Sequence, residues 1–191
     1  MTELNFNWAA IVTLPNVVSL SRVAAIPVMA WAMLDDRGAL ALGLFGLVVI
    51  SDTLDGFIAR RMQQTTTLGT LFDHGADATF VLSVTALCAY LGLLPWFLPA
   101  VITVAFIQYV LDSHVLSGAQ LRPSLIGRWN GISYFVVTGC AIFVHHYAQE
   151  AMVISLLRAS GWLLVASTVI SIGERAFELM RTRRFRARSL R

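Results

Sequence analysis

The sequence from Asp52 to Asp77 reads DTLDGFIARRMQQTTTLGTLFDHGAD. It places two pairs of aspartates inside otherwise apolar sequence. Asp52 and Asp55 stand about one helical turn apart, so they share one face of a helix. Asp73 and Asp77 have the same relation on the next helix. The polar link between the two pairs is short, which predicts an antiparallel helical hairpin with all four carboxylates at a similar depth.

The sequence around this stretch has the composition of a membrane protein. Of its 191 residues, 57% are hydrophobic and 13% are charged, and the mean hydropathy is +0.72. A helix needs roughly 20 mostly apolar residues to cross a bilayer, so the chain has room for about six such helices. They are predicted at residues 16–34, 39–61, 67–92, 95–116, 126–148 and 152–180. We therefore expect an all-α integral membrane bundle of six transmembrane helices that forms one domain over residues 1–191.

The arginines predict how these helices are oriented, because basic residues accumulate on the cytoplasmic side of a membrane. All 14 basic residues are arginines, and six of them fall in the last eleven residues. Arg60 and Arg61 mark the second connection, and Arg122 and Arg128 mark the fourth. These connections and both termini are expected in the cytoplasm of a bacterium, with no nucleic acid as partner. Residues 2–13 mix aromatic and polar positions, which permits a short interfacial helix.

The four aspartates predict a divalent metal site. Crowded carboxylates repel one another and need a compensating cation. Their oxygens suit hard cations such as Mg²⁺ or Mn²⁺, and no cysteine or paired histidine near them suggests zinc. Helix capping and pairing with Arg60 and Arg61 are the alternatives. The same acids also permit an intramembrane metal or proton transporter, although the outer halves of the two helices are almost wholly apolar.

This stretch resembles the signature of the CDP-alcohol phosphotransferase family, also called CDP-alcohol phosphatidyltransferases, at all eight fixed positions and with their spacing. The resemblance implies a homodimeric membrane enzyme that binds a CDP-linked donor at the cytoplasmic leaflet. It implies two Mg²⁺ or Mn²⁺ ions, and it makes Asp77 the candidate general base. The implied metal ligands are Asp52, Asp55, Asp73 and Asp77, and the implied CDP-donor site is formed by Asp52, Asp55, Gly56, Ala59, Arg60, Gly69 and Asp73.

The substrate is less determined than the family. The first helix and the chain length are similar to short bacterial phosphatidylglycerophosphate synthases. They imply transfer of a phosphatidyl group from CDP-diacylglycerol to a small alcohol, first of all glycerol 3-phosphate, with release of CMP in phospholipid biosynthesis. Ala78 departs from the lysine usual in those enzymes. Residues 71–75, LFDHG, instead resemble choline and ethanolamine phosphotransferases, which leaves open the transfer of a phosphoalcohol from a CDP-amino-alcohol to diacylglycerol.

Four further residues are candidate contacts to the acceptor or to a phosphate. Arg22 lies inside an apolar run, so it either pairs with the aspartates or a phosphate, or extends toward the membrane interface. His74 is the alternative base, although one residue of helix turns it about 100° away from Asp73. Arg122 and Arg128 are able to hold an acceptor phosphate, but membrane topology explains them equally well.

Overall fold

The computed structural model of the chain describes residues 14–62, 67–115 and 125–189, and these ranges contain six α-helices and no strand. The helices are α1 (Leu14–Leu34), α2 (Gly38–Met62), α3 (Thr67–Tyr90), α4 (Phe97–Val115), α5 (Leu125–Tyr147) and α6 (Ala151–Ser189). The predicted all-α class and the predicted order of helices are confirmed. The interfacial helix expected at residues 2–13 lies outside the described residues.

The C-terminal end of α6 differs most from the prediction. The apolar pattern stops near Met180, yet the helix continues to Ser189. No glycine or proline interrupts residues 174–189, and arginine, leucine and methionine are favourable helix residues. The helix therefore continues into the arginine-rich segment, because helix formation does not require an apolar face there.

Hydropathy distinguishes α6 from the other described helices. Its segment Ala151–Glu178, with a mean hydropathy of 1.8, is the one described segment that is long and apolar enough to cross a membrane by this criterion. Three shorter apolar segments accompany it: Leu20–Leu34, Gly38–Thr53 and Phe97–Leu111. The described residues therefore form six helices, one of which meets this criterion for crossing a membrane.

The chain divides into two compact units, residues 1–84 and residues 85–191. In the first unit α1 packs against α2, and α3 contributes side chains to the same core. Met33 of α1 and Ala41 of α2 are buried, as are Phe45 of α2 and Phe80 of α3, whose ring centroids lie 6.2 Å apart. This packing fixes the three helices that carry Arg22 and the aspartates.

The turn between α1 and α2 is closed by local contacts. Asp36 has φ 55°, the left-handed conformation that commonly ends a helix. The Arg37 backbone N–H donates to Ala32 O at 2.8 Å, which satisfies a carbonyl of the last turn. The Arg37 side chain pairs with Asp35 at 2.7 Å and lies 4.6 Å from the centroid of the Trp31 ring. The chain therefore reverses within three residues, and α2 returns along α1.

The second unit contains a polar seam inside its apolar core. Asn130, Tyr134 and Thr138 are spaced four residues apart on α5, so they share one face. Ser167 donates to Asn130 Oδ1 at 2.7 Å, Tyr134 and Thr168 share a hydrogen bond of 2.7 Å, and Thr85 and Thr138 share one of 3.0 Å. The sequence interpretation missed this seam, although the four-residue spacing was its signal.

Gly161 gives a testable prediction about the second unit. A Cβ atom at this buried position of α6 would overlap Cδ of Pro95 and lie 3.1 Å from its Cγ. The proline ring is rigid, so Gly161→Ala should cost about 1–3 kcal/mol of unfolding free energy through overpacking. Gly173→Ala is the matched control, because nothing lies within 4 Å of a Cβ there. Thermal unfolding of the purified variants in detergent measures both, and equal midpoints would contradict the predicted packing.

Candidate functional site

Arg22 is the most deeply buried charged residue in the described part of the chain. It lies on α1, and its relative exposure is 1%. A buried arginine requires a partner of opposite charge, because its desolvation is otherwise uncompensated. The neighbouring helices of the first unit supply that partner.

The guanidinium of Arg22 joins carboxylates from two other helices. Nη1 of Arg22 donates a hydrogen bond to Oδ1 of Asp77 on α3. Nη2 lies 3.4 Å from Oδ1 of Asp52 on α2. The side chains of Asp52 and Asp77 are 41% and 17% exposed, respectively, whereas that of Arg22 is 1% exposed. The site is therefore shielded from solvent at Arg22 and accessible to solvent at Asp52. Of the two interpretations of Arg22, the structure supports pairing with the aspartates.

The remaining members of the predicted donor and metal sites lie on the same helices. Their side chains are outside the described part of the structure, so their contacts stay predictions. Asp55 follows Asp52 by three residues on α2, and Asp73 precedes Asp77 by four on α3. Helical spacing predicts that the members of each pair share one helical face. The predicted donor site has four further members whose side chains are not described: Gly56, Ala59 and Arg60 on α2, and Gly69 on α3.

The candidate acceptor contacts are dispersed in the sequence. His74 is exposed on α3. Arg128 is exposed in the first turn of α5, within the second unit. Arg122 lies outside the described residues. Their roles as acceptor contacts therefore stay predictions.

The oxygen ligands of the site suit a hard divalent cation. Asp52 and Asp77 present carboxylate oxygens to one shared positive group, and carboxylate oxygen is the ligand that Mg²⁺ and Mn²⁺ prefer. Among the side chains that the structure describes, no group of three or more histidines, cysteines or acids is assembled. Asp55 and Asp73 are not among those side chains. The arrangement thus brings carboxylates of two helices to one cationic group.

The chain is similar to a known family over most of its length. The sequence profile of the family described as CDP-alcohol phosphatidyltransferase matches residues 12–173. This range contains Arg22 and the whole stretch from Asp52 to Asp77.

Individual relatives divide between two kinds of enzyme. A protein named cardiolipin synthase (CMP-forming) from Streptomyces coelicolor is 35% identical over 101 residues, which are 48% of this chain and 46% of the relative. A probable phosphatidylglycerophosphate synthase from Mycobacterium tuberculosis is 30% identical over 169 residues, which are 85% of this chain and 74% of the relative. A CDP-diacylglycerol--glycerol-3-phosphate 3-phosphatidyltransferase from Arabidopsis thaliana is 30% identical over 175 residues, which are 82% of this chain and 55% of the relative. The chain thus spans less than half the length of the first of these.

Proposed function

The chain belongs to the CDP-alcohol phosphatidyltransferase family, and from this premise we propose that it transfers a phosphatidyl group from CDP-diacylglycerol to a small alcohol and releases CMP. The observation that carries the proposal is the meeting of Asp52 and Asp77 at Arg22 inside the signature stretch. Membership in the family favours this transferase over the transporter that the aspartates alone permitted. The product is a phospholipid, so the reaction belongs to lipid biosynthesis.

The six helices form a membrane bundle in this proposal. Its support is the distribution of side chains, since large apolar residues are exposed while several polar ones are buried. Leu47 is 61% exposed and Leu163 is 72% exposed, whereas Thr85 and Thr168 are fully buried. A protein in water rarely exposes so many large apolar side chains. The basic second and fourth connections and the arginine-rich end of α6 face the cytoplasm, which is consistent with a bacterial inner-membrane enzyme.

The donor binds at the two aspartate pairs. Asp52, Asp55, Asp73 and Asp77 would hold two divalent ions, Mg²⁺ or Mn²⁺, which would supply positive charge to the diphosphate. Gly56, Ala59, Arg60 and Gly69 shape the surface for the cytidine nucleotide, because small residues let it approach the helix backbone. Two copies of the chain form a homodimer, as the resemblance to the family implies.

The chemistry is a displacement at phosphorus. The hydroxyl oxygen of the acceptor forms a bond to the phosphorus that carries diacylglycerol, and the bond from that phosphorus to the bridging oxygen breaks. CMP departs with the electron pair, and Asp77 accepts the proton of the hydroxyl. When bound, the divalent ions neutralise the diphosphate and stabilise the leaving group. The protein itself positions the two substrates and excludes water.

Glycerol 3-phosphate is the preferred acceptor in this proposal. The two relatives whose names concern phosphatidylglycerophosphate or glycerol 3-phosphate match 85% and 82% of the chain. The cardiolipin synthase matches 48% of it at a higher identity, so phosphatidylglycerol is the second candidate acceptor. Arg122 and Arg128 are the candidate contacts for the acceptor phosphate, since arginine binds phosphate with two parallel hydrogen bonds.

One assay tests the proposed reaction. The purified chain, with CDP-diacylglycerol and Mg²⁺ or Mn²⁺, should release CMP and form phosphatidylglycerophosphate when glycerol 3-phosphate is added. Phosphatidylglycerol replaces it in a parallel reaction, and a third reaction pairs CDP-choline with diacylglycerol. Product only in the third reaction would reverse the proposed direction of transfer. Absence of CMP from all three would contradict the proposed activity.

A further inference from the structure

Arg22 already supplies a positive charge to two of the carboxylates that the proposed function assigns to metal. Its two terminal nitrogens reach Asp77 on α3 and Asp52 on α2. Resting on the proposed metal role of these aspartates, we infer that Arg22 competes with the divalent cation for them. Arg22 thereby weakens metal binding and joins the three helices when metal is scarce.

The position of the guanidinium favours competition over support. A residue that orients a metal ligand from behind commonly contacts one ligand and strengthens metal binding. Arg22 instead lies between carboxylates of two helices, in contact with an oxygen of each. A cation that joined Asp52 to Asp77 would bind the same two carboxylates, and it would be repelled by the guanidinium at this short range.

Because Arg22 is buried, displacement of Arg22 from its carboxylates by a metal ion would affect substrate binding. Arg22 is 1% exposed, so the packed helices shield its guanidinium from water. A buried cation that loses its carboxylates needs another anion. The proposed reaction supplies phosphate groups, which guanidinium binds strongly. Metal loading therefore prepares Arg22 to contact a substrate phosphate.

Manganese binding to the full-length chain in detergent tests the competition directly. Free Mn²⁺ is measured by electron paramagnetic resonance during titration of the wild type, Arg22→Gln and Arg37→Gln. Arg22→Gln should bind Mn²⁺ about tenfold more tightly or more, because a like charge a few ångströms away is removed. Arg37→Gln is the control, since Arg37 lies in an exposed pair with Asp35 and should leave the affinity unchanged. Saturating Mn²⁺ should also raise the thermal midpoint of Arg22→Gln more than that of the wild type.

Equal or weaker Mn²⁺ binding by Arg22→Gln would overturn the competition. Should this variant fail to fold, Arg22→Lys decides the matter, because lysine keeps the charge but lacks the planar fork that reaches two carboxylates. Its affinity should exceed that of the wild type, and an equal or lower value overturns the inference. CMP release is read separately: an active wild type without tighter binding by the variants refutes the competition alone. A wild type that releases no CMP refutes the proposed function, whatever the titration shows.

Discussion

Asp77→Asn is expected to lower the rate of CMP release about a thousandfold or more. The amide cannot accept the proton of the acceptor hydroxyl, and general base catalysis contributes roughly 10²–10⁴-fold in rate. Its remaining carbonyl oxygen can still accept a hydrogen bond from Arg22, so the helices should stay packed. The measurement is CMP release at saturating CDP-diacylglycerol, together with thermal unfolding and equilibrium binding of the CDP donor. The variant should remain folded and should still bind the donor.

Asp35→Asn is the matched control for this substitution. Asp35 lies in the turn after α1, half exposed and paired with Arg37. Exposed ion pairs contribute at most about 1 kcal/mol, so this variant should retain the wild-type rate and midpoint. A wild-type rate in Asp77→Asn would remove Asp77 from catalysis. His74, exposed three residues earlier on α3, would then be the next base to replace.

Removal of divalent cations is expected to abolish turnover. The proposed site brings several carboxylates and a diphosphate together, and these anions repel one another without compensation. Treatment with a chelator should therefore lower CMP release at least a hundredfold, and added Mg²⁺ or Mn²⁺ should restore it. Initial rates across a metal titration provide the measurement. The expected recovery is complete.

Replacing Mg²⁺ with Ca²⁺ tests whether the metal acts by charge compensation alone or also by its coordination geometry. Ca²⁺ accepts more ligands at longer distances than Mg²⁺, so it should bind without restoring the full rate. A rate that is unchanged by the chelator would contradict a metal-dependent reaction at these aspartates. Family membership would be unaffected by that result, since it depends on the match over residues 12–173.

The helices were largely predictable because their signals are local. Runs of apolar residues, Pro95 before α4 and the polar turns determined the helix ends closely. The end of α6 was placed too early, since hydropathy reports where an apolar segment ends and not where a helix ends. The seam of Asn130, Tyr134 and Thr138 was missed, because single polar residues in an apolar helix do not identify their partners.

The sequence predicted the members of the candidate site, but it did not predict which carboxylates Arg22 contacts. The spacing of Asp52, Asp55, Asp73 and Asp77 placed each pair on one helical face, and it carried the resemblance to the family. Arg22 was recognised as unusual in an apolar run. Its partners were left open, because charge pairing and extension toward the membrane interface both explained it.

The sequence alone was enough to predict the all-α class and the order of the helices. These follow from hydropathy and helical periodicity, which act between residues close together in the chain. Only the tertiary structure decided which positive group joins Asp52 to Asp77. Arg22 and Asp77 are 55 residues apart, and the packing of α1, α2 and α3 brings their side chains together. The tertiary fold determines which group pairs with a buried charge, and no local sequence pattern specifies that partner.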